Sequence, residues 1–231
     1  MKRGGTGYRS GMRWLRLRAL LLANLVLFFG FLVGLAFVGH AQQNSELADH
    51  GRPPESFGQY VGSSSFGEAV FENWESEFLQ MFMYVLLTAY LVQKGSAESR
   101  PLDGPAPQDE DPREHRTDRN APWAVRHGSE LILRLYENSL AIAFGVVFLL
   151  SLWLHAATGA ATYSEEQQLH GGAAVTTWTY LGTSQFWYES LQNWQSEFLA
   201  VAAIIGGSIY LRQRRSAQSK PVHASHSETG G

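Results

Sequence analysis

The feature that most constrains this chain is an uninterrupted apolar run near its amino terminus, Ala19 to Val38. Only Asn24 is strongly polar among these 20 residues. A helix that crosses the hydrocarbon core of a bilayer, about 30 Å thick, needs about 20 such residues. A second run, Ser139 to Ala157, holds 19 residues with one internal serine and one histidine near its end. Both runs predict membrane-spanning helices.

A seven-residue motif occurs twice, 120 residues apart, first at Asn73–Leu79 and again at Asn193–Leu199. The shared pattern is Asn-Trp-(Glu/Gln)-Ser-Glu-Phe-Leu. The two apolar runs match each other at an offset of 115, where His40-Ala41 corresponds to His155-Ala156. Matches at a fixed offset indicate an internal duplication, as in many membrane proteins. The same offset of 120 relates two further pairs of segments: Tyr60–Phe66 with Tyr180–Phe186, and Ser96–Pro101 with Ser216–Pro221.

Each copy of the motif begins a second helix whose purely apolar part is short, Phe78–Val92 in the first copy and Phe198–Leu211 in the second. Fifteen helical residues cover only about 22 Å, which is less than the hydrocarbon core. A spanning helix must therefore include upstream residues, from about Val70 and about Ser190. This places the polar residues of the motif in the outer part of the bilayer or at its edge.

We therefore predict an all-α integral membrane protein with four transmembrane helices in two parallel helical-hairpin repeats. Residues 1–14 form a basic cytoplasmic tail. Repeat 1 covers residues 15–94, with helices at about 17–40 and 66–94. Residues 95–127 are rich in proline and charge and predict a disordered cytoplasmic linker. Repeat 2 covers residues 128–213, with helices at about 130–157 and 185–213, and residues 214–231 form a disordered cytoplasmic tail.

The positions of lysine and arginine predict the topology, because cytoplasmic loops carry the excess of these residues. Six precede the first helix, seven lie between Lys94 and Arg134, four follow the last helix, and only Arg52 falls on the other side. Both termini then lie in the cytoplasm, and the protein is a multi-pass protein of the cytoplasmic membrane. A cleaved signal peptide, with Gly39-His40-Ala41 as its cleavage site, is the alternative for the first helix.

The polar residues that are repeated in the two second helices form one stripe in each copy. Residues four and eleven apart project on nearly the same side of a helix. Glu75 is replaced by Gln195, whereas Glu77 and Glu197 keep the charge in both copies. The candidate intramembrane site therefore consists of Asn73, Ser76, Glu77, Thr88, Asn193, Ser196, Glu197 and Ser208.

Ionisable residues inside a membrane are costly and normally face a cavity or a partner. Two adjacent carboxylates would share a proton or bind a cation. His40 and His155 end the first helices on the same side, and with Glu77 and Glu197 they would suit a divalent transition metal. In the alternative interpretation the glutamates lie at the headgroup level, beside Trp74 and Trp194 in an aromatic belt.

The doubled motif resembles a family of small bacterial membrane proteins classed as a domain of unknown function. The similarity extends to Tyr-Leu-Gly-Thr-Ser-Gln-Phe before the second motif and to Arg-Gln-Arg-x-Ser-x-x-Ser-Lys-Pro after it, and it covers about residues 13–222. The resemblance implies an integral membrane protein with two similar halves. It implies no activity and no catalytic residues.

Three functions follow as expectations. The first is a non-enzymatic structural or accessory membrane component without a cofactor, whose partners are the lipid bilayer and either further copies of itself or another membrane protein. The second is a small carrier or a cation- or proton-binding protein that uses Glu77 and Glu197. The third is a membrane metalloenzyme. The chain has no cysteine, which excludes thiolate chemistry, and it has no basic face for nucleic acid.

Overall fold

The computed structural model describes residues 6–102 and 104–230. Every regular element within these two ranges is helical, which confirms the all-α class. Residues 1–5, a part of the predicted basic tail, lie outside the described residues. The chain divides into two compact units, with the boundary between Gly67 and Glu68.

The elements follow one another in the order α1, α2, α3, two short 3₁₀ turns, α4, α5, α6, α7 and α8. The four long helices are α1 (Thr6–Asp49), α3 (Ser64–Tyr90), α6 (Ser139–Leu169) and α8 (Ser184–Tyr210). The shorter elements are α2 (Phe57–Val61), the 3₁₀ turns Pro107–Asp109 and Pro112–His115, α4 (Trp123–His127), α5 (Glu130–Glu137) and α7 (Thr177–Tyr180).

Two helices in the described ranges are long and apolar enough to cross a membrane, over Arg13–Asp49 and Ser139–Gln168. They contain the two apolar runs of the sequence. Helices α3 and α8 are not apolar enough over a span of that length, because their first halves are polar. The first half of α3 alone carries Glu68, Glu72, Glu75 and Glu77. Composition therefore supports two of the four expected spans.

The two sequence copies fold into corresponding elements. Helices α2 and α7 begin 120 residues apart, and so do α3 and α8, which are both 27 residues long. The hydroxyl of Ser63 accepts a hydrogen bond from the backbone N–H of Phe66, and that of Thr183 does so from Phe186. Such caps satisfy amide groups that have no partner inside a helix, so the same local sequence starts both helices.

A turn of identical construction follows each of these helices, and we call residues 93–101 and 213–221 the tail turns. The backbone N–H of Gln93 donates to Ser99 Oγ and that of Gln213 to Ser219 Oγ, each over 2.9 Å. The residue at the third position is left-handed in both, with φ of 86° at Gly95 and 73° at Arg215. Only glycine adopts this conformation without steric cost, so the second turn is the more strained.

The segment 222–230 packs over both tail turns. The buried ammonium of Lys220 donates to three backbone carbonyls, those of Ser225, His226 and Glu228, at 2.8–3.2 Å. The backbone N–H of Gly95 donates to Thr229 Oγ1, and the N–H of Gly230 donates to the carbonyl of Ser96, each over 2.9 Å. This closing segment therefore ties the first tail turn to the second.

The predicted disordered linker contains short helical turns in the structure. Its charged side chains form ion pairs: Arg113 and Arg116 donate over 2.8 Å and 2.6 Å to Glu130 at the start of α5, and Arg100 lies 2.6 Å from Asp109 within the linker. Exposed pairs of this kind contribute about 1 kcal/mol or less each. The linker is thus organised by turns and ion pairs in place of an apolar core.

Candidate functional site

His155 lies near the carboxyl end of the apolar part of α6 and is fully buried. Its Nδ1 lies 2.7 Å from Oε2 of Glu75, a fully buried residue of α3. The other oxygen of that carboxylate, Oε1, accepts a hydrogen bond of 2.9 Å from Trp194 Nε1 on α8. An ionised carboxylate only accepts hydrogen bonds, so this contact places a proton on Nδ1. One buried acid therefore connects three long helices.

The second nitrogen of the same ring faces another acid. Nε2 of His155 lies 3.4 Å from Oε2 of Glu189 on α8, within ion-pair distance. The geometry does not meet that of a hydrogen bond, and Nε2 is a buried atom without a hydrogen-bond partner among the described residues. Buried polar atoms normally have such partners, so this nitrogen calls for an explanation.

Tyr180, at the end of α7, joins two further carboxylates. Its hydroxyl donates to Glu189 Oε2 over 2.5 Å, and its oxygen lies 3.5 Å from Glu68 Oε1 on α3. Burial, with the hydrogen bond to Glu189 as the next cause, raises the pKa of Tyr180 above its ordinary value. Tyr180 therefore stays protonated and acts as a donor.

The acidic residues of α3 share one face of that helix. Glu68, Glu72 and Glu75 are spaced four and three apart, the spacing that aligns side chains on a helix. Glu72 accepts a hydrogen bond of 2.5 Å from Asn193 Nδ2 on α8. We call the six side chains that meet here the His155 cluster: Glu68, Glu72, Glu75, His155, Tyr180 and Glu189.

The charges of the His155 cluster do not balance. The segments that supply its residues, 53–93 and 135–211, contain no lysine and no arginine. Four carboxylates thus face one imidazole. Like charges in a buried site cannot all remain ionised without compensation. Protons or a bound cation must neutralise the difference.

The chain also matches a known family. Residues 11–231 match the family model described as "Domain of unknown function (DUF6766)". The chain belongs to this family. The resemblance noted from the sequence is thereby confirmed as far as a domain of unknown function. Neither the curated proteins nor the solved structures contain a match, so the function must be argued from the geometry.

The two glutamates that the repeated sequence motif carries in both copies lie outside the His155 cluster. Glu77 is exposed on α3, and Glu197 is half-buried on α8. The two helices meet at this level, where Gln80 Nε2 donates to the backbone carbonyl of Glu197 over 2.9 Å. The structure describes no direct bond between the two carboxylates.

The other residues of the predicted polar stripe mostly bond within their own helices. Ser76 and Ser196 donate to the carbonyls of the asparagines three residues earlier, and Thr88 donates to that of Tyr84. Asn73 donates to Ala69, whereas Asn193 reaches Glu72 as described above. Ser208 is buried beside the first tail turn, where its Oγ lies 3.0 Å from Ser96 Oγ.

Of the four predicted metal ligands, His155 alone joins a group that could hold a metal ion in the described residues, and its companions there are Glu68 and Glu189. His40 belongs to the first compact unit. Its Nε2 lies 2.9 Å from the backbone oxygen of Glu55 and 2.9 Å from Asn44 Nδ2.

Sequence reasoning missed Glu68, Glu72, Glu189 and Tyr180 as site residues. It favoured acids retained in both copies, whereas these acids have no charged counterpart 120 residues away. A usable signal was present, because Glu68, Glu72 and Glu75 recur at helical spacing in a helix without any basic residue.

Proposed function

We propose that this chain is an integral membrane protein that binds a cation, as protons or as a metal ion, in the His155 cluster. The observation that carries the proposal is the charge of the cluster. Four carboxylates and one imidazole sum to −3 even when the ring is protonated, and the segments that supply them contain no lysine or arginine. Removing charges from water costs several kcal/mol per ion, so the cluster needs a positive partner.

The surface of α1 supports placement in a membrane. Leu20 is 81% exposed and Phe31 is 74% exposed. Large apolar side chains exposed in such numbers along one helix suit contact with lipid. The proposed function is therefore ion binding by a membrane protein, which was the second of the three expectations from the sequence. The acids differ, because the expectation used Glu77 and Glu197 and the proposal uses those of the His155 cluster.

Four spans remain part of the proposal. At 27 residues each, α3 and α8 reach about 40 Å, which exceeds the hydrocarbon core. Their acidic halves can cross the outer leaflet because most of those acids face other helices instead of lipid. With the distribution of lysine and arginine, this gives a multi-pass protein with both termini in the cytoplasm.

The topology is testable with single cysteines, since the chain has none of its own. Four exposed positions serve: Ser45→Cys and Ala173→Cys in the expected outer loops, and Asp118→Cys and Ala217→Cys on the expected inner side. An impermeant maleimide added to whole cells should label the first two, and the last two should react only after permeabilisation. Labelling of Asp118→Cys in intact cells would overturn the four-span arrangement.

Cation binding is testable through stability in detergent. The wild-type protein should be stabilised by a bound cation or by low pH, because the native state binds more protons or cations than the unfolded state does. A metal at a hundred times its dissociation constant adds about 2.7 kcal/mol. The double substitution Glu68→Gln with Glu189→Gln should remove this response, and Glu77→Gln with Glu197→Gln should keep it. A wild-type protein indifferent to both pH and metals would refute the proposal.

A further inference from the structure

We infer that the His155 cluster is a site for one divalent transition-metal ion, held by Nε2 of His155 and the carboxylates of Glu68 and Glu189. The inference rests on the proposed cation-binding function and specifies the ion. Glu75 does not touch the metal but orients the histidine from behind.

The spacing of the three ligand atoms suits a metal. One ligand atom from each of Glu68, His155 and Glu189 lies within 4.8 Å of the other two. The 3.4 Å between His155 Nε2 and Glu189 Oε2 is close to the distance of roughly 3.4 Å between two ligands of a tetrahedral ion with bonds of about 2.0–2.1 Å. Two ligands are therefore already in place. The carboxylate of Glu68 is the third ligand and lies within the same 4.8 Å.

The histidine presents the correct nitrogen. Glu75 binds Nδ1, so in the neutral ring the lone pair is on Nε2, which is buried, points toward Glu189 and has no hydrogen-bond partner in the described chain. Trp194 fixes the other oxygen of Glu75. Metal-bound histidines are oriented in this way, with a carboxylate on the nitrogen that does not bind the metal.

The donor set selects the class of ion. One imidazole nitrogen with carboxylate oxygens suits zinc, manganese or iron(II), whereas copper(I) favours sulfur ligands. Calcium and magnesium prefer oxygen ligands in larger numbers. The carboxylates of Glu68 and Glu189 neutralise a divalent ion, while Glu72 and Glu75 keep their hydrogen bonds from Asn193, Trp194 and His155. Tyr180 supports the site by donating to Glu189, which holds that carboxylate beside the histidine.

The experiment uses the full-length protein in detergent, stripped with a chelator and then titrated with cobalt(II), zinc(II), manganese(II) and magnesium(II). Bound metal is counted by mass spectrometry, and cobalt reports ligand geometry by its visible absorption. We expect one transition-metal ion per chain and no magnesium binding. Glu189→Gln should lose the ion, and Glu75→Gln should weaken it by about 10–100-fold, as a supporting carboxylate does.

Two matched variants control for general damage. Glu197→Gln changes a motif glutamate of the same helix outside the cluster, and His40→Gln changes the corresponding histidine; both should bind like the wild type. Helical circular dichroism and elution volume establish that each variant folds. Equal loss of metal in Glu197→Gln and Glu189→Gln would overturn the inference.

The two proposals fail differently. A wild-type protein that binds no transition metal, but whose stability depends on pH through Glu68 and Glu189, would overturn the metal site and leave a proton site. A protein that responds to neither would refute cation binding as well.

Discussion

His155 and His40 occupy matched positions in the two sequence copies but have different surroundings. His155 is fully buried and lies against two carboxylates, Glu75 and Glu189. His40 is half-buried, and its Nε2 lies beside a backbone carbonyl and the amide of Asn44. Both histidines are followed by alanine, and each copy has a buried tyrosine at the end of its next short helix, Tyr60 near the end of α2 and Tyr180 at the end of α7.

The corresponding helices of the two copies thus surround their histidines with different groups. Around His40, neutral hydrogen bonds fasten the segment after α1, because Asn44 both accepts from and donates to the backbone of Glu55. Around His155, the acids of α3 and α8 create a site whose charge is not balanced. The cluster draws its acids from both sequence copies, Glu68, Glu72 and Glu75 from α3 and Glu189 from α8.

The largest effect is expected from Glu75→Ala. This change removes the acceptor of two donors, the buried His155 and the half-buried Trp194. It should lower the free energy of unfolding by about 3–5 kcal/mol, as breaking a buried pair does. Gln195 occupies the matching position, is exposed, and bonds only within its own helix. Gln195→Ala should change stability by about 0.5 kcal/mol or less. Denaturant unfolding in detergent measures both, and equal losses would contradict the contrast.

An intermediate effect is expected from Gly159→Ala. An added Cβ would lie 2.6 Å from Tyr180 Cε1 and 2.9 Å from Glu68 Oε1. Such overpacking costs about 1–3 kcal/mol, and it should also displace Tyr180 and weaken cation binding. In Gly39→Ala the added Cβ would clash with the hydroxyl end of Tyr60, outside the His155 cluster. Thermal unfolding with and without the cation should show lost stability in both variants and lost binding only in Gly159→Ala.

The smallest effect is expected from His40→Ala. The imidazole bonds to uncharged groups of Glu55 and Asn44 and contacts the rings of Phe57 and Tyr60. Its removal should cost about 1 kcal/mol and leave cation affinity unchanged. Calorimetric titration of the variant beside the wild type measures both quantities. A loss of affinity would show that the two histidines act together, and the contrast between the two copies would then fail.

Much of the fold could be predicted from the sequence, because apolar runs and fixed offsets are local signals. The runs predicted α1 and α6, and the repeat aligned the starts of α3 and α8. The helix ends were harder to place. Helix α1 was expected to end near residue 40 but continues to Asp49, since residues 41–49 contain no glycine or proline to stop it.

The site was less predictable, because its residues come from distant parts of the chain. His155 and Glu75 are 80 positions apart in sequence. Which acid meets the histidine depends on how α3, α6 and α8 are rotated against one another, and a single sequence does not encode that rotation visibly. Retention of charge in both copies drew attention to Glu77 and Glu197, whereas the asymmetric Glu75 is the buried partner.

The position of the closing segment near the carboxyl end affects the order in which contacts form during synthesis. A chain is made from its amino end, so residues 225–230 follow every helix that they bind. The contacts of Gly95 with Thr229 and of Gly230 with Ser96 can form only after α8 has emerged. The first copy is therefore synthesised before this link can form, and the link forms only when the second copy is complete.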